Sequence, residues 1–164
     1  MPYALWEDVD SQKAILVSGH GSGRIYITPD PLNFSTQPCW FPVNVGSGTV
    51  SEVEFSDDGM LYVGTGNGNL YRVEGLPTAT FDCDPADLSN NAISGITVTK
   101  IDGNDWGSSY VAGIGIDPND NNRLIVALGG YRADSTVRNV FITDDASAPN
   151  VSWEEIKGNS LPSI

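Results

Sequence analysis

The chain has 164 residues, 40% of them hydrophobic, enough for one domain with a core of its own. Eight Lys and Arg against 21 Asp and Glu leave a formal net charge of −13, which repels phosphate backbones and anionic lipid surfaces and excludes nucleic acid as an expected partner. No apolar run approaches the ~18 residues of a membrane span, so membrane insertion is excluded, and Met1 to Asp8 lacks the basic start and apolar stretch of a secretory signal. The single histidine, His20, and the two cysteines, Cys39 and Cys83, form no zinc or redox spacing. The cysteines fit one disulfide or two buried thiols.

Eighteen glycines and ten prolines among many Asn and Asp punctuate short apolar runs, the composition of an all-β protein. In chain order, Leu5–Val9 is an opening or a closing strand, followed by strands at Ala14–Ser18, Arg24–Thr28 and Trp40–Val45. A second unit holds strands at Thr49–Phe55, Met60–Thr65, Asn69–Glu74 and Ile93–Lys100, with turns at Ser56–Gly59 and Gly66–Gly68. A third holds Val111–Ile116, a turn at Asp117–Asn122, then Leu124–Leu128, Asn139–Thr143 and Trp153–Lys157. Helical periodicity is confined to one short turn within Pro85–Asn91.

These units repeat one another. Val17-Ser18-Gly19-His20-Gly21-Ser22-Gly23-Arg24-Ile25-Tyr26 aligns with Tyr62-Val63-Gly64-Thr65-Gly66-Asn67-Gly68-Asn69-Leu70-Tyr71, a duplicated hairpin with three glycines in step. Val50–Phe55 and Val111–Ile116 share apolar positions one, four and six, and Ile25–Asp30 matches Val140–Asp145. Four-stranded units recurring every ~40–60 residues mark propeller blades. The expected architecture is therefore a partial β-propeller of about three four-stranded antiparallel blades. Blade one covers residues 1–47, blade two 48–104 and blade three 105–164, together one domain.

Thr143-x-Asp145 followed by Ser152-Trp153, and Thr28-x-Asp30 followed by Cys39-Trp40, resemble the Asp-box, or BNR repeat, written S/T-x-D-x-G-x-T-W. The phrases around Val111–Leu124 and Trp153–Pro162 are similar to those of sortilin-type and xyloglucanase-type propellers. Both copies lack the box glycine, Ala146–Val151 is longer than the family loop, and the middle unit has no box. The resemblance implies that Thr28, Asp30, Trp40, Thr143, Asp145 and Trp153 are structural. Asp and hydroxyl would hold a hairpin while Trp packs between blades. Three blades are too few to close a ring of roughly 4–8. The expectation is a fragment of a longer propeller, or a chain that self-associates through its blade edges.

Candidate chemistry is sparse. Gly19-x-Gly21-x-Gly23 and Gly64-x-Gly66-x-Gly68 read as hairpin turns rather than phosphate cradles, because neither opens a helix. Asp117-x-Asn119-x-Asn121 has the alternation of a calcium loop, but Asn122 and Leu128 occupy the positions of its glycine and bidentate Glu, so no cofactor is expected and calcium is the alternative. The resemblance implies two glycoside-hydrolysing classes. The arginines do not match a sialidase triad, and Asp8, Asp10, Asp57 and Asp58 qualify only nominally for a xyloglucanase pair, so no catalytic residue is named.

Binding is the more economical reading, since the loops Pro31–Pro38, Leu76–Asn91 and Gly130–Arg138 project from a rigid scaffold. Trp106, Tyr110 and Tyr131 flank such loops as candidates for stacking on a sugar or peptide. The expected function is a non-catalytic glycan- or protein-binding module in an extracellular, periplasmic or cell-surface setting of a bacterium. The alternative is part of a glycoside hydrolase whose site other blades complete.

Overall fold

The computed structural model describes residues 1–33, 35, 37–84, 86–103, 106–129 and 139–156. Among these the protein is all-β, with 3-10 turns at Leu76–Thr78 and Leu88–Asn90 and no α-helix. Three four-stranded antiparallel sheets succeed one another along the chain.

The first sheet is a meander of β1 (Tyr3–Asp8), β2 (Lys13–His20), β3 (Arg24–Thr28) and β4 (Phe41–Asn44). β1 is its opening strand, with Tyr3 opposite Ser18 and Asp8 opposite Lys13. Its alternation explains the placement: Ala4 and Trp6 point into the core, while Tyr3 and Leu5 stay exposed. The likeness of Trp6-Glu7-Asp8-Val9 to Trp153-Glu154-Glu155-Ile156 therefore joins two different strands of the meander.

The second sheet runs β5 (Val50–Phe55), β6 (Leu61–Thr65), β7 (Leu70–Glu74) and β10 (Thr97–Lys100). Between β7 and β10 lies a separate hairpin, β8 (Thr80–Asp82) with β9 (Ala92–Ser94). This corrects the expectation of one strand over Ile93–Lys100. Gly95, at φ 84, breaks the run, so that Ile93 pairs with Phe81 while Thr97 pairs with Glu74. It also gives structure to part of the segment read as a loop over Leu76–Asn91.

The third sheet contains β11 (Val111–Asp117), β12 (Asp120–Leu128), β13 (Val140–Thr143) and β14 (Glu154–Glu155). Asp117 pairs with Asp120, so the turn expected over Asp117–Asn122 tightens to Pro118 and Asn119. The loop at Gly130–Arg138, with Tyr131, and the end of the predicted last strand at Lys157 lie outside the described residues.

The second sheet is buried between the other two, which explains why every residue of β6 is buried. Leu61, Val63 and Val73 join Val17, Ile25 and Phe41 in one core, while Tyr62 and Leu70 join Leu124, Val126 and Phe141 in the other. Full burial of each such side chain contributes about 1.5–3 kcal/mol. β5 lies against β1 and β2, and β11 lies against β5 and β6. The junction thus recurs: the first strand of each following sheet rests on the first two strands of the sheet before. The side chain of Val50 fills the space over Gly19, and that of Val111 fills the space over Gly64, so that a Cβ on either glycine would collide with the valine. Both valines precede a β-bulge at the same point of their strand. Gly23 and Gly68, also equivalent in the repeat, both have positive φ and lie against backbone carbonyls of the segment that leads into the next sheet.

Candidate functional site

The third sheet carries a closed box. Thr143, buried at the end of β13, donates from Oγ1 to Asp145 Oδ1 at 2.5 Å and accepts from the Asp145 N–H at 3.2 Å. Asp145 in turn accepts from the Ser152 backbone at 3.2 Å and from Ser152 Oγ at 3.2 Å, which draws the ends of the 146–151 loop together. The Thr143 hydroxyl foremost, and then Ser152, hold the Asp145 carboxyl below its ordinary range. Trp153 donates from Nε1 to Ile101 O at 2.7 Å and stacks edge-on against Trp106 at 4.8 Å, tying this sheet to the segment that leaves β10. The Asp145 carboxyl thus holds the 146–151 hairpin, and Trp153 ties the sheet to the segment after β10.

The first copy is different. Thr28 is buried and its Oγ1 has no partner among the described residues, Asp30 is exposed, and Trp40 is 37% exposed. Two residues of its loop, Phe34 and Thr36, lie outside the described residues. Beside Trp40, Cys39 is joined to Cys83 by a disulfide with Cα atoms 6.0 Å apart. Asn91 Nδ2 donates to Trp40 O at 3.1 Å. The covalent bridge therefore links the end of the first sheet to the hairpin inserted in the second.

Arg72 is a functional-looking group that strand counting did not single out. It stands on β7 on the face toward the third sheet and is 4% exposed. Its Nη1 donates to Ala146 O at 2.5 Å and Ala148 O at 3.1 Å, and Nη2 pairs with Glu74 at 3.1 Å. This guanidinium clamps the box loop of the neighbouring sheet. Its signal was available in Leu70-Tyr71-Arg72-Val73, where a cation sits at an inward position of an apolar strand.

Of the stacking candidates, Trp106 is 3% exposed and belongs to the second core, beside Phe141 at 5.3 Å, so its ring face is used in packing. Tyr110 is 48% exposed and its ring lies over Gly129. Gly21–Gly23 and Gly66–Gly68 form the β2–β3 and β6–β7 turns. Asp117 Oδ1 accepts from the Asn119 N–H at 2.9 Å, and Oδ2 faces Arg123 at 3.4 Å, so this carboxylate serves its own turn.

The four aspartates named from sequence do come together. Asp8 and Asp10 from the β1–β2 turn, and Asp57 and Asp58 from the β5–β6 turn, line one cleft of about 440 Å³ with Trp6, Glu7, Val9 and Pro77. Trp6 Nε1 donates to Asp57 O at 3.0 Å, tying β1 to the β5–β6 turn, and Lys13 Nζ donates to Pro77 O at 3.1 Å, tying the start of β2 to the 3-10 turn after β7. Asp8 accepts from Ser11 Oγ at 2.5 Å and from the Ser11 and Asp10 N–H groups, and these bonds, Ser11's hydroxyl first, lower its pKa. The cleft offers carboxyl oxygen acceptors to hydroxyl, amine or guanidinium donors. Among the described residues no group of three or more His, Cys, Asp and Glu side chains is arranged to hold a metal ion. Compared with known protein families and with curated proteins, the chain matches no family model and no curated sequence.

Proposed function

We propose that the chain is a run of three blades of an Asp-box β-propeller, serving as a non-catalytic binding or scaffold module for a glycan or protein partner. The observation that carries this reading is the recurrent junction, with Val50 over Gly19 and Val111 over Gly64. Sheets stacked by one repeated operation form the propeller pattern. The closed box at Thr143, Asp145 and Trp153 supports the Asp-box assignment. The cleft between the β1–β2 and β5–β6 turns supplies a binding surface on a rigid scaffold, rich in hydrogen-bond acceptors. The Cys39–Cys83 disulfide supports an oxidising extracellular, periplasmic or cell-surface setting.

Binding to a panel of neutral and amino-sugar glycans and Lys/Arg-rich peptides, with and without Asp8→Asn/Asp57→Asn, tests the reading. Saturable binding that the double variant weakens is expected; a panel without any such ligand contradicts it.

A further inference from the structure

The two outermost sheet faces are open in a way the repeat makes informative. On β1, Tyr3 and Leu5 occupy the positions that Val53 and Phe55 hold in β5 and Ile114 and Ile116 in β11, as the pairing registers show. The later pairs pack against the preceding sheet's core, whereas Tyr3 is 76% and Leu5 44% exposed. At the other end, β11 turns Gly113 and Gly115 outward. Among the described residues a Cβ at Gly113 would meet nothing within 4 Å, whereas the space at Gly115 is taken by Ile125, itself 43% exposed. One face therefore presents two bulky apolar side chains, and the other presents one open glycine, Gly113, beside an exposed isoleucine that lies over Gly115.

We propose that a second copy of this chain occupies these faces. Tyr3 and Leu5 of one copy pack on Gly113 and Ile125 of the other, and the reciprocal contact closes two sets of three sheets into one ring. The pairing continues the junction already present twice, because in each the first strand of the following sheet rests on the first two strands of the sheet before. The partner's β1 would accordingly rest on β11 and β12. Ala127 stands on β12 where Gly19 and Gly64 stand in the earlier sheets, as its pairing with Val140 shows. It fills the hollow that receives a valine elsewhere, so bulk on Tyr3 and Leu5 replaces the valine knob. Six sheets fall within the roughly 4–8 that close a propeller. With a net charge of −13 on each copy, the pair strengthens as salt screens the repulsion.

Light scattering coupled to size exclusion on the full chain, over a range of protein and salt concentrations, is the test. The expected mass is twice 17.5 kDa. Leu5→Glu and Ile125→Glu, each at an exposed position and checked as folded by near-ultraviolet circular dichroism, are expected to be monomeric. Mixed, they keep one intact junction and form a one-to-one pair, weaker than the wild-type pair by roughly 10²–10⁴-fold. A wild-type mass of 17.5 kDa throughout, a dimer that survives both substitutions, or a mixture that stays monomeric at millimolar concentration overturns the pairing. The inference rests on the blade reading, but the two fail separately. A monomer that keeps the Val111–Gly64 contact overturns only the pairing, and a chain without that contact overturns the blades.

Discussion

The side chain of Val111 occupies the space in which a Cβ on Gly64 would lie. Glycine here has no positive φ to satisfy; it is required by close approach, because the first residue of one sheet seats on the second strand of the sheet before. Gly19 and Val50 repeat the arrangement. Two copies of one contact, at matched positions of a repeat, locate the energy that holds successive sheets in a fixed relation.

Gly64→Ala forces Val111 or β6 to shift and is expected to destabilise by about 1–3 kcal/mol, the usual cost of overpacking. Gly21→Ala, where a Cβ meets nothing within 4 Å, is expected to change stability little. Urea unfolding of the two variants side by side measures the difference, and equal midpoints would contradict the close-approach account.

The Arg72 guanidinium is buried and holds two carbonyls of the 146–151 loop. Arg72→Met leaves those acceptors without their donor, and a loss of about 2–4 kcal/mol is expected. Lysine, a point donor without the planar fork, is expected to recover only part of it. Faster amide hydrogen exchange across Asp145–Trp153 in Arg72→Met is the accompanying local readout.

The repeats, the turn glycines and the order of strands were legible in the sequence because each is a local pattern of alternation and punctuation. Gly95 shows where local pattern fails. Ile93 and Val98 sit in one stretch that reads as a single alternating strand, and only tertiary pairing sends Ile93 to Phe81 and Val98 to Val73. Trp40 and Trp153 both read as box tryptophans, yet one indole is 37% exposed while the other bonds to Ile101, a contact made across sheets. The four cleft aspartates were visible singly, but their meeting depends on how two equivalent turns of adjacent sheets are placed.

Asp145 predicts a pH dependence of stability. Its folded carboxyl titrates below the unfolded value of about 3.9, so its stabilising contribution is complete above that value and is lost as pH falls through the lower folded pKa. Asp8, Asp84, Asp87 and Asp117 are lowered too, so the comparison must be with a variant. Asp145→Ala is expected to be less stable than wild type at pH 7, with the gap narrowing below about pH 4. Thermal melts from pH 2.5 to 7 test this; a gap constant with pH would remove the carboxylate from the account.

The Cys39–Cys83 bridge closes a loop with a sequence separation of 44. In the chain-entropy treatment its loss costs about 4 kcal/mol. Cys39→Ser/Cys83→Ser is expected to lower the urea midpoint substantially and to abolish the effect of reductant on stability. A wild-type midpoint unchanged by reductant would contradict the linkage.

The most direct test of the repeated junction is a nuclear Overhauser measurement on isotope-labelled protein. The account predicts cross-peaks from the Val111 methyls to the Gly64 α-protons and, independently, from the Val50 methyls to the Gly19 α-protons. A folded protein lacking both would show that the sheets do not stack by a repeated contact, and the blade reading would fall.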